Sequence, residues 1–437
     1  MEPPQTLLPP PPARVATLGG HGADSALPEA PWDAAVVHGD ALAAADWTDL
    51  AGEMIEGGKL LVAAPAPNSP ERDALEILLA EAGFAIRRSS KKKVSPSSDW
   101  LQAVRTPYRV RSVRGGEEAQ ILDLFERSFH HRRGADHWRW QYRDNPHQVG
   151  APRVTVATDG EGGLVGHYAG YPVTFERSRS TFLAHQIGDT MTVPEVRHIG
   201  RGPTSLLGRC GHHFYARYCR RQVAFNYGFN VGNIQKFSMR FLAAHRVEDV
   251  PYWRRDAAEP LPPTATSWLG GPLYRVEADA RPDESWDTLF RQAAPHYGAL
   301  IRRTAEHLRW RYCDRPGFEY LLIAAHRRRT PVAWAVFRRD GDRLLWGDFL
   351  CHPRHLQATR DLLAAALEHP TNQGVQTVEG WFTPRPRFLP PVLEAFGFSR
   401  EPEPQGLALM CVPFEDPSAP EWLGRELYYT LGDGDLF

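Results

Sequence analysis

The sequence predicts a mixed α/β protein, two tandem copies of one domain behind a small parallel α/β module. Three observations predict it. Strand-like and helix-like runs alternate over residues 14–95, the pattern of a parallel α/β unit. A strand-like run, Thr181–Val193, leads through Pro194-Glu195-Val196-Arg197-His198-Ile199-Gly200-Arg201-Gly202 into a helix-like run, Pro203–Arg221. The block His137-x-Arg139-Trp140-x-Tyr142-x-Asp144-x-Pro146 recurs as His307-x-Arg309-Trp310-x-Tyr312-x-Asp314-x-Pro316, six of ten positions identical at an offset of 170. Duplication of a domain-sized unit is the simplest source of that repeat.

In chain order, residues 1–13 form a proline-rich tail, stiff and extended. Strands follow at Arg14–Leu18 and Asp33–His38, then a helix at Trp47–Ile55 and a strand at Lys59–Ala64. A helix over Glu71–Ala82 stops at Gly83. The run Gly57-Gly58-Lys59-Leu60-Leu61-Val62, with Ala82-Gly83-Phe84 downstream, resembles the back half of an S-adenosylmethionine-dependent methyltransferase. The front half, with its glycine loop and ribose-binding acid, is missing, so this module reads as a relic or a docking element. Lys91–Ser98 is a basic, solvated linker.

Residues 107–255 hold the first copy. Its strands are expected at Tyr108–Val113, Arg153–Thr158 and Gly163–Phe175, with a turn at Asp159-Gly160 and a helix at Glu117–Phe129. After the glycine loop come a strand, Gln222–Phe229, a polar helix, Asn233–Ala244, and a terminal strand. Gly200 and Gly202 let backbone N–H groups crowd around an anion, and the following helix adds unpaired donors and a partial positive charge. Arg197 and Arg201 bring guanidinium groups suited to phosphate oxygens. The motif Arg197-x-x-Gly200-x-Gly202, in this order of elements, resembles the signature of the GNAT acyltransferase superfamily. That resemblance implies a loop, Arg197, His198, Ile199, Gly200, Arg201 and Gly202, cradling the pyrophosphate of acetyl-CoA. It further implies that Met191, Thr192 and Val193 pair with the pantetheine arm like an added strand.

A linker rich in proline and glycine, Asp256–Pro272, leads to the second copy, residues 272–415. Strands at Val332–Phe337 and Leu344–Leu350, a helix at Ala358–Glu368, a strand at Val375–Phe382 and a helix-plus-turn at Phe388–Phe398 parallel the first. Where the first copy has its glycine loop, the second reads Pro353 to Arg360 with no glycine, so it is expected to be catalytically silent. Residues 416–437 read equally as an ordered arm or a frayed end.

The resemblance places the acetyl group where two parallel strands splay apart, and asks for a base there. Asp189 is one candidate, with a structural, hydrogen-bonded carboxylate as the alternative, since it recurs as Asp348 in the copy without a loop. His185 lies four residues earlier and, with period two, shares Asp189's face; it reads as a base, a relay or a structural imidazole. Phenylalanines hold the positions where many GNAT members place an acidic tyrosine, leaving Tyr227 as a proton donor or a packing residue. Asn226, Asn230 and Asn233 either line a polar cleft for acceptor or pantetheine, or close turns. The repeated block reads as architecture, with Trp and Tyr packed under the sheet and Arg and Asp pinning a turn.

Composition bounds the rest. Net charge is −1 over 437 residues, which gives no field for nucleic acid or anionic membranes. Five cysteines without C-x-x-C spacing argue for reduced thiols in a cytoplasm and against structural zinc. No apolar run spans a bilayer, the N-terminus lacks a secretory pattern, and no H-E-x-x-H or G-x-S-x-G appears. The sum is a bacterial, cytoplasmic N-acyltransferase using acetyl-CoA and no metal on a small-molecule amine or amino sugar, with a homo-oligomer left open. A catalytically weak acyl-CoA sensor or scaffold is the alternative.

Overall fold

The N-terminal strands Val15–Leu18 (β1), Trp32–Val37 (β2) and Met54–Ala63 (β3) pair in parallel, and helices Trp47–Glu53 (α1) and Pro70–Glu81 (α2) connect them onward. The sheet is completed by Phe84–Ile86 (β4) and Trp100–Arg105 (β5), in the order β1-β2-β3-β5-β4 with β5 antiparallel to both neighbours. The module is therefore parallel only in part, because β5, a short mixed run that sequence reading leaves unassigned, returns along β3. The computed structural model describes residues 13–19, 29–43, 45–87, 100–267 and 270–437. Residues 1–12 of the proline-rich tail and the linker Lys91–Ser98 lie outside them. Helix α2 starts at Pro70 with Ser69 accepting from the Arg72 amide. Its Asp73 then pairs with both Arg220 and Arg221 of the next unit, which docks the module there.

The second sheet starts with Arg109–Ser112 (β6), Val154–Thr158 (β7), Leu164–Arg177 (β8), Ser180–Thr192 (β9), Phe225–Asn230 (β10) and His245–Asp249 (β11). Its helices are Glu118–Phe129 (α3), Ala135–Tyr142 (α4), Leu206–Phe214 (α5) and Gly232–Phe241 (α6). The third sheet uses Tyr252–Asp256 (β12), Arg275–Ala278 (β13), Leu321–Arg327, Thr330–Asp340, Arg343–Cys351 and Thr377–Trp381, joined by Ser399–Glu401. A short strand, Ala299–Ile301 (β14), precedes Leu321–Arg327 (β15), Thr330–Asp340 (β16), Arg343–Cys351 (β17), Thr377–Trp381 (β18), Ser399–Glu401 (β19) and Ala408–Pro413 (β20). Helices Glu284–Ala293 (α7), Ala305–Leu308 (α8), Ala358–Glu368 (α9), Leu389–Ala395 (α10) and Ala419–Glu426 (α11) cover this half.

The two copies exchange strands. β20, from the chain's last stretch, inserts between β10 and β11 of the second sheet, antiparallel to both. Reciprocally, β12 inserts between β18 and β19 of the third. β14 also pairs with β8 of the other half. The contiguous ranges 107–255 and 272–415 therefore do not each close a sheet. The first unit borrows β20 and β14, and the second borrows β12.

The repeated block sits at the seam. Trp140 and Trp310 stack at 5.0 Å and 17°. Trp140 Nε1 donates to the Trp310 carbonyl at 2.6 Å, and Trp310 Nε1 donates to the Trp140 carbonyl at 2.9 Å. Equivalent residues thus contact each other reciprocally, as across a two-fold axis. Within each copy the block's tyrosine donates to the strand aspartate at 2.8 Å, Tyr142 to Asp189 and Tyr312 to Asp348. The block is helical, with its second copy running on into a π-turn, Arg309–Cys313. Its role is to join the units rather than to pin a turn.

The C-terminal residues form an ordered arm. Tyr428 and Tyr429 are buried, and Phe437 packs on Tyr320 and Gly347. Arg303, fully buried, bonds Asp348 at 2.9 Å and Asp433 at 2.6 Å, which clamps the arm to β17.

Candidate active site

β9 and β10 pair in parallel only at His185–Gln186 against Asn226–Tyr227, then diverge. The gap between them opens into two adjoining cavities. One, of about 740 Å³, is lined by Met191, Thr192, Arg197, Gly200, Arg201 and Gly202. The other, of about 220 Å³, is lined by Gly188, Asp189, Tyr227, Asn230 and Asp435. Phe129, Thr190 and Ile234 belong to both walls, so the two form one channel along the splay.

The loop's sequence dictates its shape. Gly200 has φ +70° and Gly202 φ +57°, where side chains are strained. A Cβ at Gly200 would lie 2.3 Å from the Thr204 carbonyl oxygen, and one at Gly202 would lie 2.6 Å from the Phe241 ring. Ser205 caps α5 by accepting from the Gly208 amide, which leaves the amides of Leu206 and Leu207, both in the cavity wall, without intrahelical partners. The expected single helix Pro203–Arg221 is broken into a 3₁₀ turn, Gly202–Thr204, helix α5 and a π-turn, Tyr215–Cys219. The break places α5's first turn beside the glycine loop in the wall of the larger cavity. Arg197 donates to the Thr192 carbonyl at 3.1 Å, tying the loop to the strand end. Val193 donates its amide to the Val165 carbonyl, and neither it nor His198 nor Ile199 lines the channel.

Asp189 and His185 do not share a face. The β8–β9 register shifts between His167 and Ala169, and Asp189 has φ +49°; this bulge adds a residue and reverses the alternation. His185 is fully buried on the other face, between Arg153, Asn226 and Cys219. Burial and Arg153 hold its imidazole well below its usual range, and it lines neither cavity. Asp189 accepts from Arg133 and from Tyr142. Burial pushes its carboxyl up, but Arg133 and His167 outweigh that and hold it below the usual range. A carboxylate so stabilised is a weak base.

Tyr227 lines the channel, but its hydroxyl donates to Gln186 Oε1 at 3.0 Å. The asparagines separate. Asn230 lines the smaller cavity and Asn233 the larger. Asn226 borders the smaller one while its amide turns inward to Cys219 and His185. Sequence reading missed Asp435. The C-terminal arm brings it into the wall beside Gly188, whose Cβ position lies 3.6 Å from Asp435 Oδ2. Its side chain is exposed at the wall; crowding by the protein and the neighbouring Asp189 push its carboxyl up, opposed by Arg133 and Arg311, and it makes no ion pair among the described residues. The only sequence signal was an acid in an otherwise uninformative tail.

Residues 109–238 match the acetyltransferase (GNAT) domain family. The match covers most of the first unit, from β6 into α6. Solved structures with the same fold include a probable N-acyltransferase from Enterococcus faecalis V583, 12% identical over 71% of this chain and 73% of that one, TM-score 0.55. A GCN5-related N-acetyltransferase from Anabaena variabilis is 11% identical over 70% and 72%, TM-score 0.51. Another from Kribbella flavida is 14% identical over 71% and 72%, TM-score 0.51. No curated protein matches the sequence significantly. Among the described residues no helix is long and apolar enough to cross a membrane, and no cluster of three metal-ligating side chains occurs.

Proposed function

We propose that the protein transfers an acetyl group from acetyl-CoA to the amine of a small metabolite or amino sugar, in the cytoplasm. The observation that carries this reading is the channel, a glycine loop and helix start at one end and an unpaired carboxylate at the other. Gly200, Gly202 and the first amides of α5 would hold the pyrophosphate, and Met191 and Thr192 would border the pantetheine. Asp435 would take a proton from the acceptor amine as its nitrogen bonds the thioester carbonyl carbon and the C–S bond breaks. The proton lost by nitrogen balances the one gained by the thiolate, with Tyr227 in the channel wall as the hydroxyl that would deliver it. Small volume at the Asp435 end, with carboxylates in the wall, suits a compact amine. Unpaired thiols at all five cysteines fit a reducing compartment.

One observation favours the alternative, an acyl-CoA sensor without turnover: Tyr227's hydroxyl is already engaged by Gln186. Thiol release from acetyl-CoA, followed across a panel of amino sugars and diamines, separates the two. Amine-dependent release is expected. Binding of acetyl-CoA without release by any amine would support the sensor.

A further inference from the structure

The second unit carries a cavity of its own, outside the channel. It measures about 610 Å³ and is lined by Arg327, Arg328, Arg354, His352, His355 and Thr330, over an apolar floor that includes Leu289 and Val332. The volume is in the range of small-molecule sites. It sits at the end of β17, the counterpart of the end of β9. Each strand runs into a proline that opens a 3₁₀ turn, Pro194–Val196 in the first unit and Pro353–His355 in the second. Directly after that proline the first unit has Glu195 and Val196, where the second has Arg354 and His355.

The charge is unbalanced. No carboxylate lines the cavity, and among the described residues none of its three arginines forms an ion pair. Other arginines of this chain, such as Arg133, Arg303 and Arg385, are each matched to an acid. Besides the arginines, the protonatable groups facing the cavity histidines are His296, 5.5 Å from the His352 ring, and Tyr274, 3.3 Å from His355 Nδ1. Burial, with His296 and Arg354 beside His352 and with Arg327, His352 and Arg354 beside His355, holds both imidazoles below their usual range. Such a concave cluster of fork-shaped donors matches phosphate oxygens.

We propose that this cavity binds a small phosphate-bearing anion through side chains, separately from the acyl-CoA loop. The phosphate could come from a free organic or inorganic phosphate or from a second acyl-CoA, and the test distinguishes these. Inorganic pyrophosphate is titrated by calorimetry into the full chain, into Arg327→Glu with Arg354→Glu, and into Gly202→Glu. Expected is binding by the wild type that weakens with salt, drops at least about tenfold in the double arginine variant, and survives in Gly202→Glu. Retained acetyl-CoA binding by Gly202→Glu, lost with the arginines, would assign the phosphate to a second acyl-CoA. No pyrophosphate binding by the wild type, or loss in Gly202→Glu alone, would overturn the proposal. Should the double variant fold poorly, histidine titration by NMR in the wild type serves instead. Pyrophosphate should raise the pKa of His352 and His355, and unmoved values would overturn the proposal.

Discussion

Asp435→Asn is expected to lower kcat by about 10²–10⁴-fold, the range for removal of a general base, while acetyl-CoA affinity stays near the wild-type value. Asparagine keeps the size of the side chain and removes only its capacity to take a proton. Two carboxylates stand at the splay, and their surroundings separate them. Asp189 is held low by Arg133 and Tyr142 and is committed to both. Asp435, exposed at the channel wall, is pushed up by the protein crowding it and by Asp189, against the opposing charges of Arg133 and Arg311. The raised group is the better match to an amine's proton. Wild-type kcat should therefore fall as pH drops through Asp435's raised pKa, and that acidic limb should vanish in the variant. If Asp435→Asn keeps its kcat while Asp189→Asn loses activity without losing stability, the base is Asp189.

Arg303→Met is expected to destabilise the fold by about 3–5 kcal/mol at neutral pH, the cost of leaving buried charges uncompensated. Arg303 lies between Asp348 and Asp433, and Thr430 donates to Asp348 at 3.1 Å. Burial pushes Asp433 up to about 6, Asp348 adds to that, and Arg303 opposes it. Without the arginine the carboxyl rises further. A raised carboxyl binds its proton more tightly in the folded state than in the unfolded one. Its stabilising contribution is thus present at low pH and lost as pH rises through the folded pKa. Urea midpoints should consequently show a deficit that grows from pH 5 to pH 8, relieved by adding Asp348→Asn and Asp433→Asn. A deficit independent of pH would show that packing, rather than the charge, holds the arm.

The glycine loop was legible because its requirements are local. Positive φ and the close approach of Thr204 and Phe241 demand glycine at Gly200 and Gly202 whatever surrounds them. The repeat was legible as a pattern but not as a seam, since nothing local in Trp140 states that its partner is its own counterpart. The bulge at Asp189 defeated the period-two argument because it depends on the facing strand's register. Strand exchange was illegible for a similar reason. β12 and β20 look like ordinary strands, and only long-range packing decides which sheet accepts them. Asp435 was hidden furthest, since the exchange of β20 and the clamp at Arg303 must both form before the arm reaches the channel.

The most direct test of the channel is acetyl-CoA binding by calorimetry, on the wild type and on Gly200→Glu with Gly202→Glu. Each new carboxylate would crowd and repel the phosphate site. Micromolar binding by the wild type, abolished in the double variant and retained in Arg327→Glu with Arg354→Glu, is the expected result. Absence of binding by the wild type, or binding indifferent to the glycines, would contradict an acyl-CoA site at this loop.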